Sequence, residues 1–128
     1  MKRIIAIASA LLLSAFASGA ATYCVGPAAT GTGTGADWNN VKAWSSTPAR
    51  GDTWYLKNGS YAAKNFSVAN SGSTLITIKK ATVAEHGTDT GWSAAYAAQA
   101  VITAPLTVSS DYYLIDGLTR NENEWFLS

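Results

Sequence analysis

The one histidine of the chain has acidic residues close on both sides. His86 lies between Glu85 and Asp89, in a polar stretch that also contains glycine and threonine. A histidine near a carboxylate can act as a general base, and histidine is also a common metal ligand. The sequence offers no second histidine and no serine-elbow motif to complete either site. The pattern therefore favours a surface loop over a catalytic triad or a metal site.

The carboxylates are poorly placed for the hydrolysis of a glycosidic bond. That reaction needs two carboxylates about 5–10 Å apart. Asp111 and Asp116 flank a predicted strand at an offset that puts them on opposite faces, about 16 Å apart if the strand is extended. Glu122 and Glu124 share a face near the C-terminus, where a calcium role is the minor alternative to a frayed tail. Asp52 is interpreted as a turn residue.

Three basic side chains near predicted strands could neutralise the carboxylate of an acidic sugar, as a polysaccharide lyase requires. They are Lys79, Lys80 and Arg120. Because Lys79 and Lys80 are adjacent, they point to opposite faces of a strand, and at most one of them faces a groove. We interpret both lysines as solvated residues at the end of a strand. No residue is assigned a catalytic role.

Five tryptophans are an enrichment in a chain of 128 residues. Sugar-binding proteins use exposed aromatic rings, which stack on the apolar side of pyranose rings. Trp38, Trp44 and Trp54 are interpreted as cap and core residues. Trp92 follows a Thr-Asp-Thr-Gly stretch in an insertion between predicted strands. Trp92 is therefore the predicted carbohydrate-binding residue.

The first 21 residues predict a secretory signal peptide. Lys2 and Arg3 precede an apolar run that ends in small residues. The run is too short to span a bilayer and no second run exists, so we expect a secreted protein, periplasmic or extracellular, without a membrane contact after cleavage. Of nine basic and eight acidic residues, two basic ones fall in this leader. The remaining near-neutral chain lacks the basic footprint of a nucleic-acid binder.

Cys24 is the single cysteine of the chain. It has no partner for an internal disulfide, and a metal site built on several cysteines is excluded. Tyr23 precedes it at a position where lipid attachment needs a small residue. We interpret Cys24 as a structurally neutral thiol, with an intermolecular disulfide as the alternative.

The elements that would position these residues are short strands. Only 13% of the residues are charged, and glycine, serine, threonine and aromatic residues are plentiful, which is typical of an extracellular all-β protein. Two helical alternatives cover residues 37–44 and 93–100, the second more simply a helical turn inside a loop. Alternating patterns bounded by turn residues predict strands at 53–57, 66–68, 75–79, 101–102, 106–108 and 112–115. Strands this short suit a solenoid, in which each turn of the chain stacks on the previous one.

Strand alternation also predicts a stripe of side chains that face the interior. Its members are Trp54, Leu56, Phe66, Val68, Ile76, Ile78, Ile102, Leu106, Val108, Tyr113 and Ile115. A solenoid needs roughly three repeats before neighbours cover one another, and this sequence supplies one or two. We therefore expect a fragment whose last layer is uncovered, with marginal stability and self-association through its open C-terminal edge.

Three phrases of the sequence resemble the opening of right-handed parallel β-helix proteins of the pectate-lyase-like superfamily. They occupy residues 51–61 (GDTWYLKNGSY), 71–79 (SGSTLITIK) and 113–119 (YLIDGLT), and residues 22–27 look like the first strand of many exported members. The resemblance implies an all-β fold, with residues 22–128 forming the N-terminal cap and first one or two coils of the β-helix.

The same resemblance implies a parent protein that acts on or binds polysaccharide, as a lyase or hydrolase of acidic glycans. Catalytic residues of that family lie on middle coils, beyond Ser128, so none maps onto this chain and the chain alone is expected to lack the active site. The residues indicate no cofactor, and calcium enters only through the resemblance. The alternatives are a non-enzymatic surface carbohydrate-binding or adhesin-like solenoid and a small standalone β-domain.

Overall fold

The computed structural model describes residues 19–117 and shows an all-β protein. The predicted leader lies almost wholly outside these residues, as do Arg120, Glu122 and Glu124. One short 3₁₀ turn, Ala94–Ala97, occurs in the described part, and no helix there is long and apolar enough to cross a bilayer. The strands are β1 (Thr22–Gly26), β2 (Lys42–Ala43), β3 (Thr53–Leu56), β4 (Gly59–Tyr61), β5 (Lys64–Phe66), β6 (Ile76–Lys80), β7 (Ala100–Ile102), β8 (Leu106–Val108) and β9 (Tyr113–Asp116).

Every strand pairing within residues 19–117 is parallel. A five-stranded sheet has the order β2-β1-β3-β6-β9, and two smaller sheets pair β4 with β7 and β5 with β8. The chain visits the three sheets in turn, through β3, β4 and β5 and then through β6, β7 and β8. Each segment therefore lies beside the one that occupied the same sheet on the preceding pass.

The main core lies on the inner face of the five-stranded sheet. Side chains at matching positions stack on one another, so that Trp54 lies opposite Ile78 and Ile78 lies opposite Ile115. Trp44 lies among the aromatic side chains of this core and makes edge-to-face contacts with the rings of Trp54, Tyr61 and Phe66. The buried members are Val25, Trp44, Trp54, Leu56, Tyr61, Phe66, Ile76 and Ile78.

The predicted interior stripe is confirmed in the first layers and is only partly buried in the last. Trp54, Leu56, Phe66, Ile76 and Ile78 are buried, and Val68, Leu106 and Tyr113 are partly buried against them. Ile102, Val108 and Ile115 pair with the inward Tyr61, Phe66 and Ile78, as strand alternation predicts, but they are 37%, 52% and 44% exposed. Among the described residues no strand stacks on the far side of β7, β8 or β9, so these side chains gain little cover.

Two other sequence predictions need correction. The helix expected at 37–44 is a turn followed by β2, because the Asp37 carboxylate accepts hydrogen bonds from the backbone N–H groups of Asn39 and Asn40 and β2 then pairs with β1. The strand expected at 66–68 runs instead over Lys64–Phe66, where it pairs with β8. In both cases a tertiary pairing overrides the local pattern. The helical turn expected within 93–100 is confirmed as the 3₁₀ turn.

A second layer covers the outer face of the five-stranded sheet. Loop residues on this side bury Cys24 and Tyr55 of the sheet, and the buried cluster is Cys24, Trp38, Val41, Tyr55 and Ala81, with Trp92 and Tyr96 packed against it. Burial raises the pKa of the Cys24 thiol to about 12. The thiol therefore stays protonated and enclosed, which favours the structurally neutral interpretation.

Arg50 forms hydrogen bonds with several turns that are far apart in sequence. Its guanidinium donates hydrogen bonds to the carbonyl oxygens of Val68, Ala69, Thr74, Asp111 and Tyr112, and it lies over the ring of Tyr113 at 4.9 Å from the centroid. Tyr112 has a φ of 60°, a left-handed conformation that is unfavourable for a residue with a side chain. The Arg50 contact helps to hold Tyr112 in that conformation.

Lys64 plays a similar role at the edge of the aromatic core. Its ammonium donates hydrogen bonds to the carbonyl oxygens of Trp44 at 2.6 Å and Ser46 at 2.7 Å. It also lies over the rings of Trp44, Trp54 and Phe66, with 4.9 to 5.8 Å to the three centroids. Burial lowers the pKa of Lys64. This ammonium therefore satisfies carbonyl groups and packs on the aromatic core.

Candidate functional site

A recess of about 330 Å³ opens on the outer side of the five-stranded sheet. It is a shallow depression that is open to solvent rather than an enclosed cavity. Tyr55 of β3 contributes one wall, and the loop that follows β6 contributes the rest. The lining residues are Tyr55, Ala84, Glu85, His86, Gly87, Thr88 and Asp89. We call it the outer recess.

The loop is folded onto the sheet by its own hydrogen bonds and by a glycine. The Thr82 hydroxyl accepts a hydrogen bond from the Glu85 N–H at 2.9 Å, and the Thr82 N–H donates to the Glu85 carbonyl at 2.8 Å. Gly87 has a φ of +78°, and a side chain there would come within 3.0 Å of Thr22 and Tyr55. Only glycine fits this close approach without strain, so the loop lies directly against β1 and β3.

Glu85 holds two partners on the same carboxylate oxygen. The Tyr55 hydroxyl donates to Glu85 Oε1 at 2.8 Å, and the Lys79 ammonium donates to the same atom at 2.7 Å. Tyr55 and Lys79 are neighbours because β3 and β6 pair in register at these positions. Tyr55 and Lys79, which follow the inward Trp54 and Ile78, thus lie on the outer face, as strand alternation requires.

These contacts shift the pKa of each member of the group. The hydrogen bonds from Lys79 and Tyr55 lower the pKa of Glu85, and the bond to Glu85 raises the pKa of Lys79. Burial, followed by the hydrogen bond to Glu85, raises the pKa of Tyr55. At neutral pH the group therefore consists of a carboxylate, an ammonium and a protonated phenol. It offers fixed hydrogen-bonding atoms rather than a base that is ready to take a proton.

The His86 ring is held on both nitrogens and on one face. Nδ1 lies 3.0 Å from the Thr82 carbonyl oxygen, and Nε2 lies 2.8 Å from Asp89 Oδ1. Both contacted atoms, a carbonyl oxygen and a carboxylate oxygen, are hydrogen-bond acceptors. The imidazole also stacks on Trp92, with the centroids 4.0 Å apart and the planes 9° apart. The expectation of a loop histidine is confirmed, and the loop places it in the outer recess.

Trp92 is half-buried rather than fully exposed. His86 covers one face of its ring, and Trp38 and Tyr96 lie 5.1 Å and 5.8 Å from it between centroids. The covered face cannot stack on a sugar. The role of Trp92 in carbohydrate binding stays a prediction. In the structure, Trp92 packs against His86, which lines the recess.

The two adjacent lysines point to opposite sides, as predicted. Lys79 reaches the outer recess, whereas Lys80 donates hydrogen bonds to the carbonyl oxygens of Leu56, Ala81 and Tyr96. Burial lowers the pKa of Lys80. The interpretation of Lys80 as a solvated lysine is wrong, because three carbonyl groups bind its ammonium.

The other carboxylates occupy separate places. Asp52 is buried and accepts a hydrogen bond from the Ala49 N–H at 2.7 Å, which confirms its role in a turn. Asp111 accepts a hydrogen bond from the Asn70 amide in the turn before β9, and Asp116 ends β9 opposite Lys79. Within residues 19–117 no group of three histidine, cysteine, aspartate or glutamate side chains is arranged to hold a metal ion.

Comparison with protein-family models, with curated proteins and with solved structures found no match for this chain. The outer recess is therefore interpreted from its own residues. Sequence reasoning considered Glu85, His86 and Asp89 together, treated Lys79 separately, and did not include Tyr55 in a site. Strand parity, which puts Tyr55 and Lys79 on one face, was the signal that could have joined them.

Proposed function

We propose that this chain forms the N-terminal cap and first coils of an exported, right-handed parallel β-helix that binds polysaccharide. The fold part of the proposal is supported by parallel pairing in all three sheets and by the repeated passage of the chain through them. The handedness and the cap rest on the resemblance of the three sequence phrases. Export rests on the leader-like composition of the first 21 residues.

The binding part rests on the outer recess, whose polar atoms are fixed in position. Sugar hydroxyls both donate and accept hydrogen bonds, and they are recognised by a few well-placed polar groups beside apolar surface. Glu85 and Asp89 supply acceptors, and the Thr88 hydroxyl supplies a donor and an acceptor. The stacked pair of His86 and Trp92 forms rigid apolar support beside them. A lyase or hydrolase parent would carry its reacting groups on other coils, as the resemblance implies.

Affinity gel electrophoresis of the purified chain through gels that contain a polysaccharide tests this proposal. We expect retardation of the chain, and we expect Asp89→Asn and Thr88→Ala each to weaken binding by about three- to tenfold, which corresponds to the loss of one hydrogen bond. Asp111→Asn is the matched control, because Asp111 lies in the turn before β9 and is not among the residues that line the outer recess. Equal effects of Asp111→Asn and Asp89→Asn would contradict a site in the outer recess.

The described end of the stack carries a second surface for which we propose self-association. In the part of the chain that the structure describes, each of β7, β8 and β9 has a partner on one side only, and a recess of about 90 Å³ lined by Leu56, Phe66 and Ile78 opens there. Unpaired strand edges beside exposed apolar side chains are a template for pairing with another chain. The exposed apolar residues on these strands are Val101, Ile102, Val108, Leu114 and Ile115.

We expect concentration-dependent association of the purified chain in light scattering and size-exclusion chromatography. Val108→Lys combined with Ile115→Lys should shift the population toward monomer, because charges on an open edge oppose pairing. Val83→Lys is the control, since Val83 is exposed on the loop after β6 and away from the open edges. A monodisperse monomer at every concentration, with a sharp and high thermal transition, would contradict the proposal.

A further inference from the structure

Acidic groups outnumber basic ones around the outer recess. Glu85 and Asp89 line it, and their side chains are 51% and 99% exposed. Asp116 lies opposite Lys79 in the pairing of β6 and β9 and contributes to the raised pKa of Lys79. Within residues 19–117, Lys79 is the one lysine whose ammonium contacts a lining residue, and Glu85 already binds it at 2.7 Å.

From this distribution of charge we propose that the outer recess selects uncharged sugars and rejects uronates, an inference that rests on the proposed function. A uronate carboxylate placed in the recess would lie near Glu85 and Asp89. Like charges in contact lower affinity, and such repulsion is an effective way to discriminate between ligands. The resemblance of the sequence phrases implies acidic glycans as the substrate class. The residues of the recess point instead to uncharged sugars.

The carboxylates that repel a uronate are well suited to bind hydroxyl groups. Hydrogen bonds in which one partner is ionised are shorter and roughly twice as strong as neutral ones. The hydroxyl groups of an uncharged sugar can donate hydrogen bonds to Glu85 and Asp89 without bringing a second negative charge into the recess. The same two carboxylates thus favour uncharged sugars and disfavour uronates.

The titratable groups that face the recess keep this preference over a range of pH. Lys79 and Tyr55 hold the pKa of Glu85 below its usual value, so Glu85 stays ionised in mildly acidic solution. His86 also faces the recess and contacts Asp89 Oδ1 through Nε2 at 2.8 Å. Among the described residues that line the recess, Glu85 and Asp89 are the two carboxylates, and the Lys79 ammonium binds Glu85. Trp38 and Trp92, which pack on the loop, carry no charge.

Affinity electrophoresis with two groups of polysaccharide tests the inference. The neutral probes are xylan, galactomannan and a soluble β-glucan, and the acidic probes are polygalacturonate and alginate. We expect the purified chain to be retarded by at least one neutral probe and by neither acidic probe, at both 20 mM and 150 mM salt. The double variant Glu85→Gln with Asp89→Asn keeps side-chain size while it removes two charges. We expect it to gain measurable retardation by an acidic probe.

Asp111→Asn serves as the control and should leave both kinds of binding unchanged. Thermal melts confirm that each variant is folded. Retardation by polygalacturonate or alginate in preference to the neutral probes would overturn the selection of uncharged sugars and leave the proposed function standing. Retardation by no probe would instead overturn the proposed function. A double variant with the same acidic-probe behaviour as the unmodified chain would also overturn the charge argument.

Discussion

Replacement of Trp44 by alanine should lower the free energy of unfolding by about 3–5 kcal/mol, the usual cost of deleting a large buried aromatic side chain. Trp44 is 3% exposed and has the rings of Trp54, Tyr61 and Phe66 within 5.3 to 6.4 Å, measured between centroids. Its indole N–H also donates to the carbonyl oxygen of Ala62 at 2.8 Å. The alanine variant leaves both a cavity and an acceptor without its donor.

Urea unfolding followed by circular dichroism measures this change. Trp44→Phe is the informative comparison, since it keeps much of the ring packing and loses the indole hydrogen bond. We expect its cost to fall well below that of the alanine variant. Trp92→Ala should also cost less, because Trp92 is half-buried in the second layer. A cost below about 1 kcal/mol for Trp44→Ala would show that Trp44 is not the centre of the aromatic core.

Arg50→Ala should lower the free energy of unfolding by about 2–3 kcal/mol. Hydrogen bonds that involve a charged group contribute about 1.5–3 kcal/mol each when they are shielded, and several of the Arg50 contacts are open to water, which can replace them. The loss should appear first in the turns that Arg50 joins, at residues 68–74 and 110–112. Hydrogen exchange of the amides in these turns and in β9 should become faster.

Arg50→Lys separates charge from geometry in the same experiment. A lysine has no planar fork, so it cannot reach as many carbonyl oxygens at once. We expect most of the stability loss to persist in this variant. Lys57→Ala is a suitable control, because Lys57 lies over the ring of Tyr96 and makes no contact with the turns of Arg50. Full stability of Arg50→Lys would refute the role of the guanidinium fork.

Alternation within a strand made the interior of the first layers predictable from sequence. Trp54 and Leu56, and then Ile76 and Ile78, repeat at a spacing of two between turn residues, and the structure buries all four. The pattern failed where pairing with a distant strand decides the outcome. β4 spans Gly59–Tyr61, a segment with turn chemistry that becomes a strand because it pairs with β7. β2 formed in place of a predicted helix for the same reason.

The candidate site was less predictable, since it depends on where a loop returns. Strand parity puts Tyr55 and Lys79 on one face, but no local signal shows that the loop after β6 brings Glu85 to both of them. Arg50 gave no signal either, because its acceptors are carbonyl groups of remote turns and any residue type can supply those. Contacts of this kind are set by the three-dimensional path of the backbone.

The parallel register also bears on how the chain reaches its native state. Trp54 pairs with Ile78, and Ile78 pairs with Ile115, so the sheet joins positions that are well separated in sequence. Each such pairing must first close a long loop, which costs conformational entropy before any hydrogen bond is gained. High contact order slows folding, into the range of milliseconds to seconds for sheet-rich domains. During that interval incomplete stacks expose strand edges, so the yield of folded protein should fall as the concentration during refolding rises.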